Sequence, residues 1–179
     1  MEIVKANSED VTEIIELVQE CIKDMNSHAI YQWNEQYPPF EIFISDVEKN
    51  TLFAIKDEGK VIGIIALSEE EDEQYKQIDW TDKFGKVLLV HRLAVHPKWQ
   101  RKGVAGKLMD FAENYAEEHG YSSIRLDTYS ENPRTIKLFE KRKYVRKPGQ
   151  IFFPECEQPF YCYEIIIKNI YQKHNYGGV

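Results

Sequence analysis

The chain has 179 residues, enough for one domain with a sizeable core. Its 23 basic and 30 acidic side chains give a formal net charge of −7, which argues against general nucleic-acid binding. No apolar run of about 18 residues occurs, Met1–Asp10 lacks a basic segment leading into an apolar one, and the cysteines Cys21, Cys156 and Cys162 have no metal-ligand spacing, so the expectation is a cytoplasmic chain with reduced thiols, no membrane span, no secretory signal and no metal.

Residues 3–5 read as a short strand. Asn7 or Ser8 then caps a helix in which Val11, Ile14, Ile15, Val18, Ile22 and Met25 recur with a 3.6 period. Pro38-Pro39 precede a shorter helix built on Phe40, Ile42, Phe43 and Val47. The apolar runs 52–55 and 61–67 flank Asp57-Glu-Gly-Lys60 and predict a hairpin. Residues 69–86 separate that hairpin from the next strand by too much for a tight turn. They hold Glu69, Glu70, Glu71, Asp72, Glu73, Asp79 and Asp82 against Lys76, Lys83 and Lys86. Long loops in compact domains are often functional, although a charge run is more commonly a solvated face.

Val87 to Val95 reads as a strand, and a basic, glycine-bearing turn follows. Val104, Leu108, Phe111, Ala112, Tyr115 and Ala116 then recur at helical spacing until Gly120 stops the helix. Ser122 to Thr128 is another strand. Asn132-Pro133 opens a helix, with Asn as N-cap and Pro at the first helical position, and Ile136, Leu138 and Phe139 give it an apolar side. Residues 144–146 and 160–168 complete the set as strands, and the tail from Asn169 to Val179 is expected to fray. The order β-α-α-β-β-β-α-β-α-β-β predicts a single α/β domain over residues 1–168. Antiparallel strands followed by a βαβ crossover make a mixed sheet with helices on both faces.

The turn at 100–106 delivers a helix N-terminus just after a strand end. Backbone N–H groups and the positive end of the helix dipole suit such a turn to an anion, and Arg101, Lys102 and Lys107 add charge of the right sign. A mononucleotide P-loop needs a glycine where Arg101 stands and Ser or Thr where Leu108 stands. The dinucleotide fingerprint needs three glycines, and only Gly103 and Gly106 are present. What fits is Gln100-Arg-Lys-Gly103-Val-Ala105, which resembles the Q/R-x-x-G-x-G/A pyrophosphate loop of the GNAT superfamily of acetyl-CoA-dependent N-acetyltransferases.

The string Asn132-Pro-Arg-Thr-Ile-Lys-Leu138-Phe-Glu-Lys-Arg-Lys-Tyr144 is similar to the second GNAT signature, N-x-x-A-x-x-L-Y-E-K-x-G-F. Order and separation of the two signatures, within residues 87–145, match the family. Three positions depart from it. Thr135 or Ile136 stands where Ala is usual, and Lys143 replaces Gly. Phe139 replaces a Tyr often credited with protonating the departing CoA thiolate.

The resemblance implies the GNAT fold, whose central parallel strands splay. It implies acetyl-CoA as cofactor and a small primary amine as acceptor. A homodimer is left open. The alternatives are a protein or peptide acetyltransferase acting on Lys or an N-terminus, and a CoA-binding module with little catalysis. The backbone of Leu93, Ala94 and Val95 would pair with pantetheine amides. Gln100, Arg101, Lys102, Gly103, Val104, Ala105 and Gly106 would surround the pyrophosphate, and Asn132 and Phe139 would face the cofactor. Tyr31 and Trp33, with Tyr37, are candidates for one wall of the acceptor site, and the 69–86 loop for a lid that attracts a cationic amine.

Acetyl transfer needs a donor for the oxyanion, a base for the ammonium and an acid for the thiolate. His91 matches a histidine of the arylalkylamine N-acetyltransferase branch and would relay the acceptor proton, its ordinary pKa near 6.5 suiting that work. Strand alternation places it on one face with Leu89, Leu93 and Val95. Asp127 is a second candidate base. With Phe139 lacking a hydroxyl, Tyr129, Tyr144 or water would serve as the acid.

Overall fold

Strands β1 (Glu2–Lys5), β2 (Leu52–Asp57), β3 (Lys60–Ser68), β4 (Val87–Val95), β5 (Ser123–Tyr129), β6 (Val145–Arg146) and β7 (Phe160–Ile166) form one sheet in a computed structural model of the chain. The structure describes residues 1–34, 37–154 and 156–167; the tail expected to fray lies outside them. The strand order is β1-β2-β3-β4-β5-β7-β6, and β4 with β5 is the parallel pair in an otherwise antiparallel sheet. Helices α1 (Val11–Ser27), α2 (Phe40–Glu48), α3 (Val104–Glu118) and α4 (Pro133–Lys141) complete the expected order.

The two faces of the sheet carry separate apolar cores. Ile14, Leu17, Val18 and Ile22 of α1 and Phe43 of α2 cover Ala54, Ile64, Ala66 and Ala94. Val104, Leu108, Met109, Ala112 and Ala116 of α3, with Phe139 of α4, cover Phe53, Ile65, Leu88, Val90, Val95 and Leu126 on the other face. The helical spacing read in the sequence supplies these contacts directly. Glu58 and Gly59 both take positive φ in the β2–β3 turn, as a two-residue hairpin requires.

The acidic insertion is more ordered than a solvated loop. Its short 3₁₀ turn, Glu73–Gln77, seats Tyr75 with Ile78 and Trp80 in a third core that includes Leu89, Tyr129, Phe160 and Cys162. Arg125 clamps this segment from β5: it donates to Glu71 at 2.8 Å, to Glu164 at 3.3 Å and to the Asp82 carbonyl, and lies 4.5 Å over the Trp80 ring.

Strand β4 corrects the expected alternation. Ala66 pairs with His91 and Ile64 with Ala94, so Arg92 and Leu93 together stand opposite Ile65. This is a β-bulge, with Arg92 at φ 52°. Leu93 and Val95 therefore pack on the α3 face with Val90, while His91 stays on the opposite face with Leu89. The extra residue flips the strand, as a one-residue slip must.

The end of α4 explains the family glycine that Lys143 replaces. Tyr144 N–H bonds the Phe139 carbonyl at 3.1 Å, Lys143 N–H bonds the Glu140 carbonyl at 3.1 Å, and the Phe139 and Tyr144 rings meet at 6.0 Å. This is a Schellman cap with its apolar contact, and it holds Lys143 at φ 70°. A left-handed residue with a Cβ costs roughly 1–2 kcal/mol. Lys143 is exposed, so Lys143→Gly is expected to raise the unfolding free energy by about 1 kcal/mol; urea titration of both proteins checks it.

Candidate active site

Strands β4 and β5 pair only from Val87↔Ser123 to Val90↔Leu126. Beyond that point they part, and two cavities open between them. The larger, about 900 Å³, is lined by Leu93, Ala94 and Val95 of β4, by Gln100, Arg101 and Gly103 to Gly106, and by Asn132, Arg134 and Leu138. The turn at its floor begins α3 with Gly103 at φ 82°. Among the described residues no side chain caps this helix, so its first-turn N–H groups are open toward an anion. The other helix at the cleft, α4, is capped: Asn132 Oδ1 accepts from Arg134 N and Thr135 N, at 3.2 and 3.4 Å.

Cationic side chains surround the larger cavity. Arg134 bonds Asp24 of α1 at 2.6 Å and Gln100 at 3.1 Å, tying both sides of the mouth together. Gln100 also donates to the Val95 carbonyl at 3.3 Å. Arg101, Lys137 and Lys141 line the cavity with no ion pair among the described residues. Lys102, expected beside them, instead reaches over the Trp99 ring at 4.8 Å and is not among the lining residues. The left-handed backbone at Gly103 adds a point that the motif does not show: any side chain there strains the fold, even though the space around it is open.

The smaller cavity, about 340 Å³, is lined by His91, Arg92, Asp127, Asp72 and Gln74, with Trp33, Tyr37, Phe139, Phe153 and Phe160 among its apolar walls. It shares Gln32, Trp33, Leu93 and Thr135 with the larger one, so the two meet at the end of β4. Asn132 Nδ2 holds Gln32 at that junction by a 2.8 Å bond. Arg92, at the bulge, is ion-paired with Asp46 of α2.

Two candidate bases share this smaller cavity, in different states. Burial, then the neighbouring Arg92 charge, pushes the His91 pKa down to about 3. Its imidazole is thus neutral through the physiological range, not poised near 6.5. Asp127 moves the other way. Burial pushes its carboxyl up to about 6, although Tyr75 Oη donates to Oδ1 at 2.5 Å.

The cavities exclude some of the expected residues. Tyr129 is packed edge-on against Phe160 in the third core and lines neither cavity. Tyr144 lines neither as well, and its hydroxyl is buried away from both. Tyr31 is exposed, whereas Trp33 is buried and lines both. Gln32 and Arg134 were not predicted as site residues, and Asp72 and Tyr75 were covered only by the 69–86 loop as a whole. The acidic composition of the insertion is the signal for the latter two, but composition cannot say which carboxylate turns inward.

A sequence model of the acetyltransferase (GNAT) family matches residues 12–144. An uncharacterised N-acetyltransferase of Archaeoglobus fulgidus is 23% identical over 148 residues, covering 83% of this chain and 95% of its own. Another, from Bacillus subtilis, is 24% identical over 136 residues, covering 73% and 91%. The crystal structure of a GNAT-family acetyltransferase from Streptococcus agalactiae superposes with a TM-score of 0.78 at 19% identity, over 94% of this chain and 96% of that one. A PaiA N-acetyltransferase from Thermoplasma acidophilum, solved in complex with coenzyme A, gives 0.69 at 17% identity, over 92% and 98%.

Asn132→Ala removes two cap bonds and the anchor of Gln32 together. The expected cost is about 1 kcal/mol of stability in urea titration. Turnover is expected to fall further than the loss of folded protein accounts for, because Gln32 sits where the cavities join. Full turnover per folded molecule would leave Asn132 as a cap alone.

Proposed function

Because the chain belongs to the acetyltransferase (GNAT) family, we propose that it transfers the acetyl group of acetyl-CoA to a primary amine of a small molecule, by direct attack in a ternary complex. One observation carries this reading: a cation-lined cavity and a carboxylate-lined cavity meet at Leu93. The second, at about 340 Å³, lies near the lower end of ligand pockets, roughly 300–1,000 Å³. That size suits a small acceptor better than a protein substrate.

The residues present fit coenzyme A. The open N–H groups of Val104, Ala105 and Gly106 and the side chains of Arg101, Lys137 and Lys141 would hold its phosphates. Beyond Val90 the β5-facing backbone of β4 has no strand partner among the described residues and can pair with the pantetheine amides. When bound, acetyl-CoA supplies an activated thioester. The chain's own work is then positioning and proton movement. Backbone N–H groups at the Arg92–Leu93 bulge are donors suited to charge developing on a carbonyl oxygen. Asp127 takes the proton of the incoming ammonium, its raised pKa matching it to that task near neutral pH. His91 stays neutral and shapes the wall. Phe139 has no hydroxyl to offer, so solvent protonates the thiolate. Buried free thiols at Cys21 and Cys162 support a reducing compartment such as the cytoplasm. No helix among the described residues is long and apolar enough to cross a membrane.

Two experiments test the reading. Gly103→Ala is expected to weaken acetyl-CoA binding, by calorimetric titration, at least about tenfold, and to cost roughly 1–2 kcal/mol of stability through its left-handed backbone. Unchanged affinity in the folded variant places the phosphates elsewhere. In the pH profile of kcat/KM, the acidic limb should fall off near 6, where Asp127 gains its proton and ceases to be a base. Asp127→Asn should abolish that limb along with most activity, roughly 10²- to 10⁴-fold. His91→Ala should leave the limb in place, since that ring does not titrate there.

A further inference from the structure

The insertion before β4 brings seven carboxylates, and their partners divide them. Glu69 pairs with Lys86, Glu70 with Lys49, Glu71 with Arg125, Glu73 with Lys76 and Asp79 with Lys83. Asp82 bonds Ser122, Ser123 and the Gly85 and Phe84 amides. Asp72 differs from all of these. Among the described residues it has no ion pair, it is half-buried, and it is the one of the seven that lines the smaller cavity.

Asp127 faces the same space, also without an ion pair among the described residues. Tyr75, fully buried, fixes its orientation through the 2.5 Å bond to Oδ1. The lining cation, Arg92, is already neutralised by Asp46. Arg92 still acts on both carboxylates, but one cation already paired with Asp46 does not balance two partly desolvated carboxylates, which are unfavourable until a further positive charge joins them. Around them stand Trp33, Tyr37, Phe153, Phe160 and Ile42, a surface for an apolar body.

We propose that the acceptor is a compact cationic amine bearing no carboxylate or phosphate, and that Asp72 and Asp127 together form the seat for its ammonium group. The proposal rests on the acetyl-transfer reading and names the substrate class of that same site. A third anion on the acceptor would sit beside two carboxylates, and like charges so placed are strongly disfavoured. An ammonium supplies the further positive charge, and the rings contact its carbon frame. The insertion is thereby the element that selects the acceptor, while the motif-bearing segments handle the cofactor.

Matched amines isolate the charge. Benzylamine differs from phenylglycine, and butylamine from norvaline, by one carboxylate. With acetyl-CoA and the full chain, free CoA release should favour each plain amine over its amino acid by about 100-fold in kcat/KM. Asp72→Asn should raise the KM for butylamine about tenfold, the loss expected for a hydrogen bond to a charged group, and shrink the preference. Its affinity for acetyl-CoA should stay as in the wild type, since Asp72 does not line the larger cavity. Equal turnover of amine and amino acid overturns the proposal, as does an Asp72→Asn enzyme with unchanged KM and preference. If none of the four turns over, butylamine is titrated calorimetrically into the CoA-loaded protein. Binding that Asp72→Asn removes supports the seat, and no binding to the wild type overturns it. Failure to bind acetyl-CoA at all is a different result, and sinks the acetyl-transfer reading itself.

Discussion

The cleft depends on one irregularity, the bulge that puts Arg92 and Leu93 opposite Ile65 in β4. Upstream of it β4 and β5 are ordinary parallel neighbours; downstream they are not paired. A regular parallel ladder would use the backbone groups of both strands and bury them beneath helices. The bulge strengthens the local twist and turns the strand end away, which leaves backbone donors and acceptors facing a cavity. Arg92 is held in a left-handed conformation, a strained state that persists only where the surroundings enforce it. Here its ion pair with Asp46 of α2 does so, on the face opposite the α3 core.

The parted strands also separate charge. An uncapped helix start and the α4 cations lie on one side of Leu93. On the other side the wall is aromatic and carboxylate-bearing. This division needs the insertion to be rigid, and a buried polar network makes it so. Glu164 accepts from Arg125 and from the Thr81 amide, and Lys147 approaches it at 3.4 Å. Removing one partner from such a network leaves a buried charge uncompensated, so these residues support the site without touching it.

Much of the frame was legible in the chain. Helical periodicity placed α1 and α3, the Glu58-Gly59 turn placed the hairpin, Asn132-Pro133 marked the start of α4, and Gly120 marked the end of α3. The loop at 100–106 was readable because glycine and cationic residues at fixed offsets reflect backbone geometry at one helix terminus. Such signals are local: each depends on residues within a turn or two of one another.

The cleft's chemistry was not local. Whether His91 or Asp127 titrates near neutral pH depends on desolvation by segments far away in sequence, including the Tyr75 and Asp72 turn. Which of seven clustered carboxylates faces a cavity depends on where Lys49, Lys86 and Arg125 end up. A bulge adds a residue without a composition signature, so alternation alone assigned Leu93 and Val95 to the wrong face. Sequence by itself determined the order of elements, the family signatures and the glycine-bearing turn before α3, because periodicity and turn chemistry are short-range. Tertiary structure alone decided which side chains converge between β4 and β5 and with what charge, because burial and electrostatics are set by every segment that packs around them.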